Sequence, residues 1–329
     1  MQTMGATVTT VPSEVDSAVP GEVDSSSTKP SEATLKAKRS FGIPFWCFAG
    51  WIGLVVIAAI FGKRLPFADK EVDYLGSALI NDGKPWDTFG SKHLLGLDPN
   101  GNDWLSAIIL GARNSMIIAF ATIAFGFIVG GGLGMLAGYR RGRIDALLTF
   151  VTTALLSFPP LLFILIFLTI FAASAKSDGV ATGLQTSVLK LSLTLGILSI
   201  PILFRVVRAA TIQYSSREFV MAARAMGAKP GRVLMREILP NVVKPMAAFG
   251  FVAAGTVMVI EGGLSFLGIG VGDSWAWGKM IAQGASGVTL QKAPHVAFIP
   301  IFFLFFTVLA FNFIGDKLRE RLEVKQAGI

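Results

Sequence analysis

The chain has 329 residues, 53% of them apolar and only 15% charged, with mean hydropathy +0.63; a soluble domain usually carries about a quarter charged residues, so this is the composition of an integral membrane protein. The single cysteine, Cys47, excludes an intramolecular disulfide and a thiolate metal centre, and two histidines, His93 and His295, leave little for His-based catalysis or metal ligation. The net charge of +8 does not point to nucleic acid, because the cations cluster in loops on one expected side of a membrane.

Residues 1–40 are rich in Ser, Thr, Val, Glu and Pro and lack apolar periodicity, which predicts a disordered tail. No basic stretch precedes an early apolar core, so no signal peptide is read. Lys36, Lys38 and Arg39 stand before the first span and place the tail in the cytoplasm.

A span needs about 20 apolar residues. Spans are predicted at 41–61, 116–139, 144–173, 188–207, 242–264 and 296–314, the third broken at Ser157-Phe158-Pro159-Pro160. The fold class is therefore an all-α membrane protein with six transmembrane helices. A six-span domain fills 41–323, with an external loop at 61–113, a cytoplasmic loop at 209–239 and a short cytoplasmic tail at 324–329.

Charge supports this topology independently. The expected inside loops carry Arg140, Arg141 and Arg143, then Arg205, Arg208, Arg217, Arg224, Lys229, Arg232 and Arg236, then Lys317, Arg319, Arg321 and Lys325. The external loop is mixed, with Asp69, Glu71, Asp73, Asp82, Asp87, Asp98 and Asp103 offsetting its lysines. Both termini are expected inside. A turn at Asp98-Pro99-Asn100-Gly101 leads to an interfacial helix with Trp104 at headgroup depth.

Within the spans, Gly126, Gly130, Gly134 and Gly138 form a stripe that lets helix backbones approach. Prolines at Pro159, Pro160 and Pro201 free carbonyls that need protein or water as partners, so Ser157, Phe158, Pro159, Pro160 and Pro201 are candidates for a path through the membrane. Arg205 and Arg208 are expected to snorkel to the inner interface. Glu261 is an intramembrane acid and by default a functional candidate. It either faces a water-filled path or fixes a loop by accepting backbone N–H groups.

The cytoplasmic loop reads as helix, break, helix. Ser215 and Glu218 have capping-box spacing. Phe219, Ala222, Ala223 and Met226 fall on one helical face. Gly227 suits a left-handed helix end, Pro230 the first turn of a second helix, and Pro240 ends that helix or passes it into the next span. The flat alanine side suits close docking into a cleft.

At these residues the chain resembles the permeases of ABC importers. Ala222-Ala223, Gly227 and Ile238-Leu239-Pro240 match their coupling-loop pattern, with Met221 where the family has Glu and Glu218 one turn earlier. Gly101-Asn102-Asp103 stands where the dipeptide, oligopeptide and nickel branch has Gly-Arg-Asp. Leu264 to Gly270 and Leu309 to Arg319 resemble two further motifs of that branch.

The resemblance implies a type I importer permease fold in the bacterial plasma membrane. It implies cytoplasmic coupling helices in which Glu218, Ala222, Ala223, Gly227, Ile238, Leu239 and Pro240 meet an ATPase. The implied partners are a homologous second permease, one or two ABC ATPase subunits and an external substrate-binding protein, with lipid around them and no nucleic acid. No Gly-x4-Gly-Lys-Ser/Thr phosphate loop is present. ATP and magnesium are thus expected on the partner ATPase, with no metal, cofactor or bond chemistry on this chain. The implied cargo is dipeptides or oligopeptides, with nickel or glutathione as alternatives. A secondary transporter, for which Glu261 is the one good coupling-ion candidate, and a nonenzymatic scaffold are the competing classes.

Overall fold

The computed structural model describes residues 42–62, 94–98, 102–177, 184–271 and 275–327. The expected tail at 1–40, most of the external loop including His93, and Pro99, Asn100 and Gly101 of the expected turn lie outside the described residues.

The described residues form α1 (Ile43–Phe61), α2 (Trp104–Gly126), a π-helical segment (Phe127–Gly131), α3 (Gly132–Arg140), α4 (Gly142–Leu156), α5 (Pro160–Ser177) and α6 (Leu184–Ser215). These are followed by α7 (Glu218–Ala225), α8 (Pro230–Arg232), a second π segment (Val233–Ile238), α9 (Leu239–Phe266), α10 (Trp277–Gly284), α11 (Gly287–Lys292) and α12 (His295–Ala327). Among the described residues five helical runs are long and apolar enough to cross a membrane: Ile43–Phe61, Trp104–Arg140, Val188–Ser215, Pro230–Phe266 and His295–Leu322. Helix α4 and the Pro160–Leu168 part of α5 meet at 89° and together are apolar enough for a sixth span when the bent pair is counted as one. The break lies at Ser157-Phe158-Pro159, where the prolines interrupt the helical ladder.

The second span begins at Trp104, earlier than the apolar run alone predicts. Asp103 caps it, its carboxylate accepting from the Ser106 backbone N–H at 3.0 Å and from the Ser106 hydroxyl at 2.7 Å. Asn114, which breaks the apolar pattern, is satisfied inside the protein: its side chain donates to the Trp275 carbonyl at 2.6 Å. Trp104 is fully buried, edge-on to Trp275 at 6.0 Å.

The glycine stripe is a packing surface for α6. A Cβ on Gly134 would sit 2.5 Å from the Phe204 carbonyl oxygen, and one on Gly138 would sit 2.8 Å from that of Arg208. Gly126 abuts Ser199. Positions 126 to 138 meet positions 199 to 211 in ascending order, so the second and fourth spans run parallel, as the alternating topology requires. Gly126 and Gly134 are eight residues apart, which on a regular helix rotates one about 80° from the other. The π segment between them holds one extra residue in a turn and brings both back to one face.

Among the described residues, buried apolar side chains form two clusters. The larger gathers Trp104, Ile118, Met258, Trp277, Phe311 and their neighbours among the spans. The smaller holds Val207, Tyr214, Val220, Ala223, Val233, Ile238 and Val242 where the fourth and fifth spans meet the 209–239 loop. Phe127, in the first π segment, packs against both.

Candidate functional site

The 209–239 loop folds as a hairpin seated on the ends of the spans. Helix α6 continues through Ser215, so that residue is helical and its hydroxyl turns back to the Ile212 carbonyl at 2.9 Å. The expected capping box does not form: Arg217 is the N-cap residue of α7 and no side chain caps the helix. Glu218 is exposed in the first turn, where its charge suits the helix dipole.

Helix α7 ends as its sequence predicts. Gly227 has φ +80, its N–H donates to the Arg224 carbonyl at 2.9 Å, and the Ala228 N–H donates to the Ala223 carbonyl at 3.1 Å. These two bonds make a complete Schellman cap. Pro230 opens α8. The chain then widens into the π segment Val233–Ile238 and runs on into α9, so Pro240 passes the hairpin into the fifth span. A proline at 240 lacks the N–H for the Arg236 carbonyl and clashes with it in a regular turn; the wider turn relieves both. Next to it, the Asn241 side chain donates to the Glu237 carbonyl at 2.7 Å.

The predicted single face of α7 divides in two. Val220 and Ala223 point inward and are buried, while Phe219, Ala222 and Met226 point outward. Met226 is 82% exposed, and Met221 and Met235 are also exposed. Val233 and Ile238 of the second arm are fully buried beside Val220. Leu239 is half-buried and Pro240 is exposed. The flat alanine surface thus has two jobs: Ala223 lets α7 sit close on its own bundle, and Ala222 keeps the outer face low. Arg224 lies over the Tyr139 ring at 5.1 Å and ties the hairpin to the end of the second span.

The candidate path residues occupy different surroundings. Ser157, Phe158, Pro159 and Pro160 are all exposed at the break. Pro201 is buried within α6 beside Ile200, which contacts Gly130. Glu261 is fully buried, and its Oε1 accepts from the Ser265 hydroxyl at 2.8 Å instead of from backbone N–H groups. Its Oε2 has no hydrogen-bond partner among the described residues. Close by, Gly278 of α10 abuts the backbone of Gly262.

Arg205 and Arg208, both near the hairpin end of the fourth span, reach across to the third. Arg208 makes a two-point ion pair with Asp145 of α4, with Nη2 to Oδ2 at 2.6 Å. Arg205 donates to the Thr153 hydroxyl at 3.2 Å. Asp145 was the available signal in the sequence, an acid just inside a predicted span that needed a partner.

Comparison with known proteins bears on this architecture. Residues 130–326 match the family described as binding-protein-dependent transport system inner membrane component. A glutathione transport system permease protein of Pectobacterium atrosepticum is 32% identical over 84% of this chain and 86% of its own length. A dipeptide transport system permease protein of Alkalihalophilus pseudofirmus is 34% identical over 71% and 73%. Among solved structures, an inward-facing form of the MetNI methionine ABC transporter superposes with TM-score 0.52 at 20% identity, covering 66% of this chain and 97% of that chain.

Proposed function

Because the chain belongs to the binding-protein-dependent transport system inner membrane components, and so is the membrane-spanning permease of an ABC importer, we propose that its cargo is short peptides. The observation that carries this is the agreement of two relatives, one named for dipeptides and one for glutathione, each matched over more than two thirds of the chain. Glutathione is itself a peptide, so both names lie within one chemical class.

In this reading the chain performs no bond chemistry. ATP and magnesium bind an ABC ATPase in the cytoplasm, beneath the hairpin, and both termini lie on that same side. The outer face of α7 around Ala222 and Met226, with Glu218 and Gly227 at its ends, meets the ATPase. Ala223, Ile238, Leu239 and Pro240 transmit its movement. The continuity of α9 with the hairpin supports this, since displacement of one carries the other. A homologous second permease completes the path, and Ser157, Phe158, Pro159 and Pro160, exposed on this chain, face it. Pro201 and Glu261 act from within the packing, as a helix break and as an anchor for the end of the fifth span. Selectivity resides in an external binding protein, because a tight site midway would slow release. Each state of the cycle is favoured only by differential interactions.

The test is uptake by cells lacking the chain and by complemented cells, using labelled dipeptides, longer peptides, glutathione and nickel. Restoration of peptide uptake is the expected result. Restoration of nickel uptake alone would overturn the cargo assignment. Uptake that follows the proton gradient and survives loss of ATP would overturn the ATPase reading.

A further inference from the structure

The hairpin's charge identifies the chemistry of the surface it meets. Residues 217–237 contain five cations, Arg217, Arg224, Lys229, Arg232 and Arg236, against two acids, Glu218 and Glu237. All five cationic residues are exposed. Arg224 stacks on Tyr139, and among the described residues none of the five forms an ion pair. Exposed Phe219, Met221, Met226 and Met235 stand among them. Such apolar tips adapt to an irregular pocket, methionine above all.

We infer that the hairpin of this chain docks in an acidic cleft with an apolar floor on the ATPase subunit, and that the excess of basic charge selects that subunit. The inference rests on the docking reading given above and adds the sign and character of the partner surface. The direction of the exposed face favours a protein over anionic lipid. Val220, Ala223, Val233 and Ile238 are turned toward the span ends at Val207, Tyr214 and Val242. The opposite face, which carries Met226, is therefore turned away from the bundle. Unpaired cations facing an acidic rim speed association and reject neutral or basic competitors, and their effect weakens with salt.

The experiment uses the whole complex, purified through a tag on this chain. Arg217, Arg232 and Arg236 take no part in the buried cluster, so they are changed together to Glu and, as a charge-preserving control, to Lys. Retained ATPase is measured at low and high salt. In parallel, a Cys47→Ser, Met226→Cys variant is cross-linked to report docking itself. The expected result is a cross-link to the ATPase, about tenfold less ATPase retained by the Glu variant at low salt, and near-normal retention by the Lys variant. Restored retention when acids on the ATPase are reversed to lysines would support the inference further. A cross-link with equal retention by all variants overturns the charge inference and leaves docking intact. Absence of any cross-link to the ATPase overturns the docking reading. A defect of the Glu variant confined to nanodiscs of anionic phosphatidylglycerol, and absent in phosphatidylcholine, assigns the cations to lipid and also overturns the inference.

Discussion

Gly130 of the second span lies in backbone contact with Ile200 of the fourth, so close that a Cβ on Gly130 would sit 2.5 Å from the Ile200 carbonyl oxygen. The obstacle is main chain, which cannot swing aside as a side chain can. Gly130→Leu and Gly134→Leu are therefore expected to destabilise the protein by about 3 kcal/mol or more, because overpacking must push two spans apart. Gly132 faces open space, and Gly132→Ala should be neutral or stabilising by up to about 1 kcal/mol. Thermal unfolding in mild detergent separates the two cases; equal melting temperatures for all three variants would remove the close contact from the account.

What the sequence disclosed, and what it hid, follows from the range of the interactions. The spans were legible because each is a local apolar run, and Gly227 because a left-handed helix end is a property of that residue alone. Ser215 was misread because its role depends on where the preceding helix stops. Asp145 and Arg208 are 63 residues apart, and nothing local in either marks the other as partner. The π segments were also hidden, since an i→i+5 turn has no fixed residue signature. Their trace was indirect: a glycine stripe at a spacing that a regular helix would twist off its face.

The Asp145–Arg208 pair joins the third span to the fourth at the end nearest the hairpin. Its side chains are 15% and 30% exposed, between a surface pair and a buried one. Removing one partner by Asp145→Asn or Arg208→Gln is expected to cost about 1–3 kcal/mol. The double variant, Asp145→Asn with Arg208→Gln, should lose less than the sum of the two single changes. Melting temperatures of the four proteins in a double-mutant cycle measure the coupling, and a coupling of zero would reduce the pair to two independent surface charges.

In the hairpin, Gly227→Ala is expected to cost about 1–2 kcal/mol, because an L side chain is strained at φ +80. Gly227→Pro is worse, since it cannot adopt that angle and removes the N–H bonded to Arg224. Neither residue packs in a span, so the proline variant should reach the membrane yet fail to couple ATP hydrolysis to uptake. Full uptake by Gly227→Pro would sink the coupling role of the hairpin.

Ala222 and Ala223 are neighbours with opposite exposure, which allows the two faces of α7 to be tested separately. Ala223→Leu forces bulk between Val220 and the second arm, and should lift the hairpin from the bundle and lower the melting temperature of this chain alone. Ala222→Leu meets only the outer surface. It should leave the isolated chain as stable as before and weaken only its hold on the ATPase. The discriminating measurement is melting of the purified chain beside ATPase retention in the complex. If Ala222→Leu also lowered the melting temperature, the outer face would belong to the bundle.

The π segment between Gly126 and Gly134 makes a prediction that a regular helix would not. One extra residue held in a wide turn can be removed without rotating what lies on either side. Ile128 is 75% exposed, so deleting it forfeits little packing while converting the segment to α-helix. Gly126 and Gly134 then stand seven residues apart, about 20° from alignment, and both still face α6. Deleting Leu136 from regular helix instead turns everything after it by about 100°. Gly138 leaves its place against Arg208 and Thr211, and Tyr139 leaves Arg224. The expected outcome is that the protein lacking Ile128 still assembles with a melting temperature close to that of the parent, whereas the protein lacking Leu136 loses its hairpin contacts and its ATPase. Equal damage from both deletions would mean that the wide turn does not set the register of the stripe.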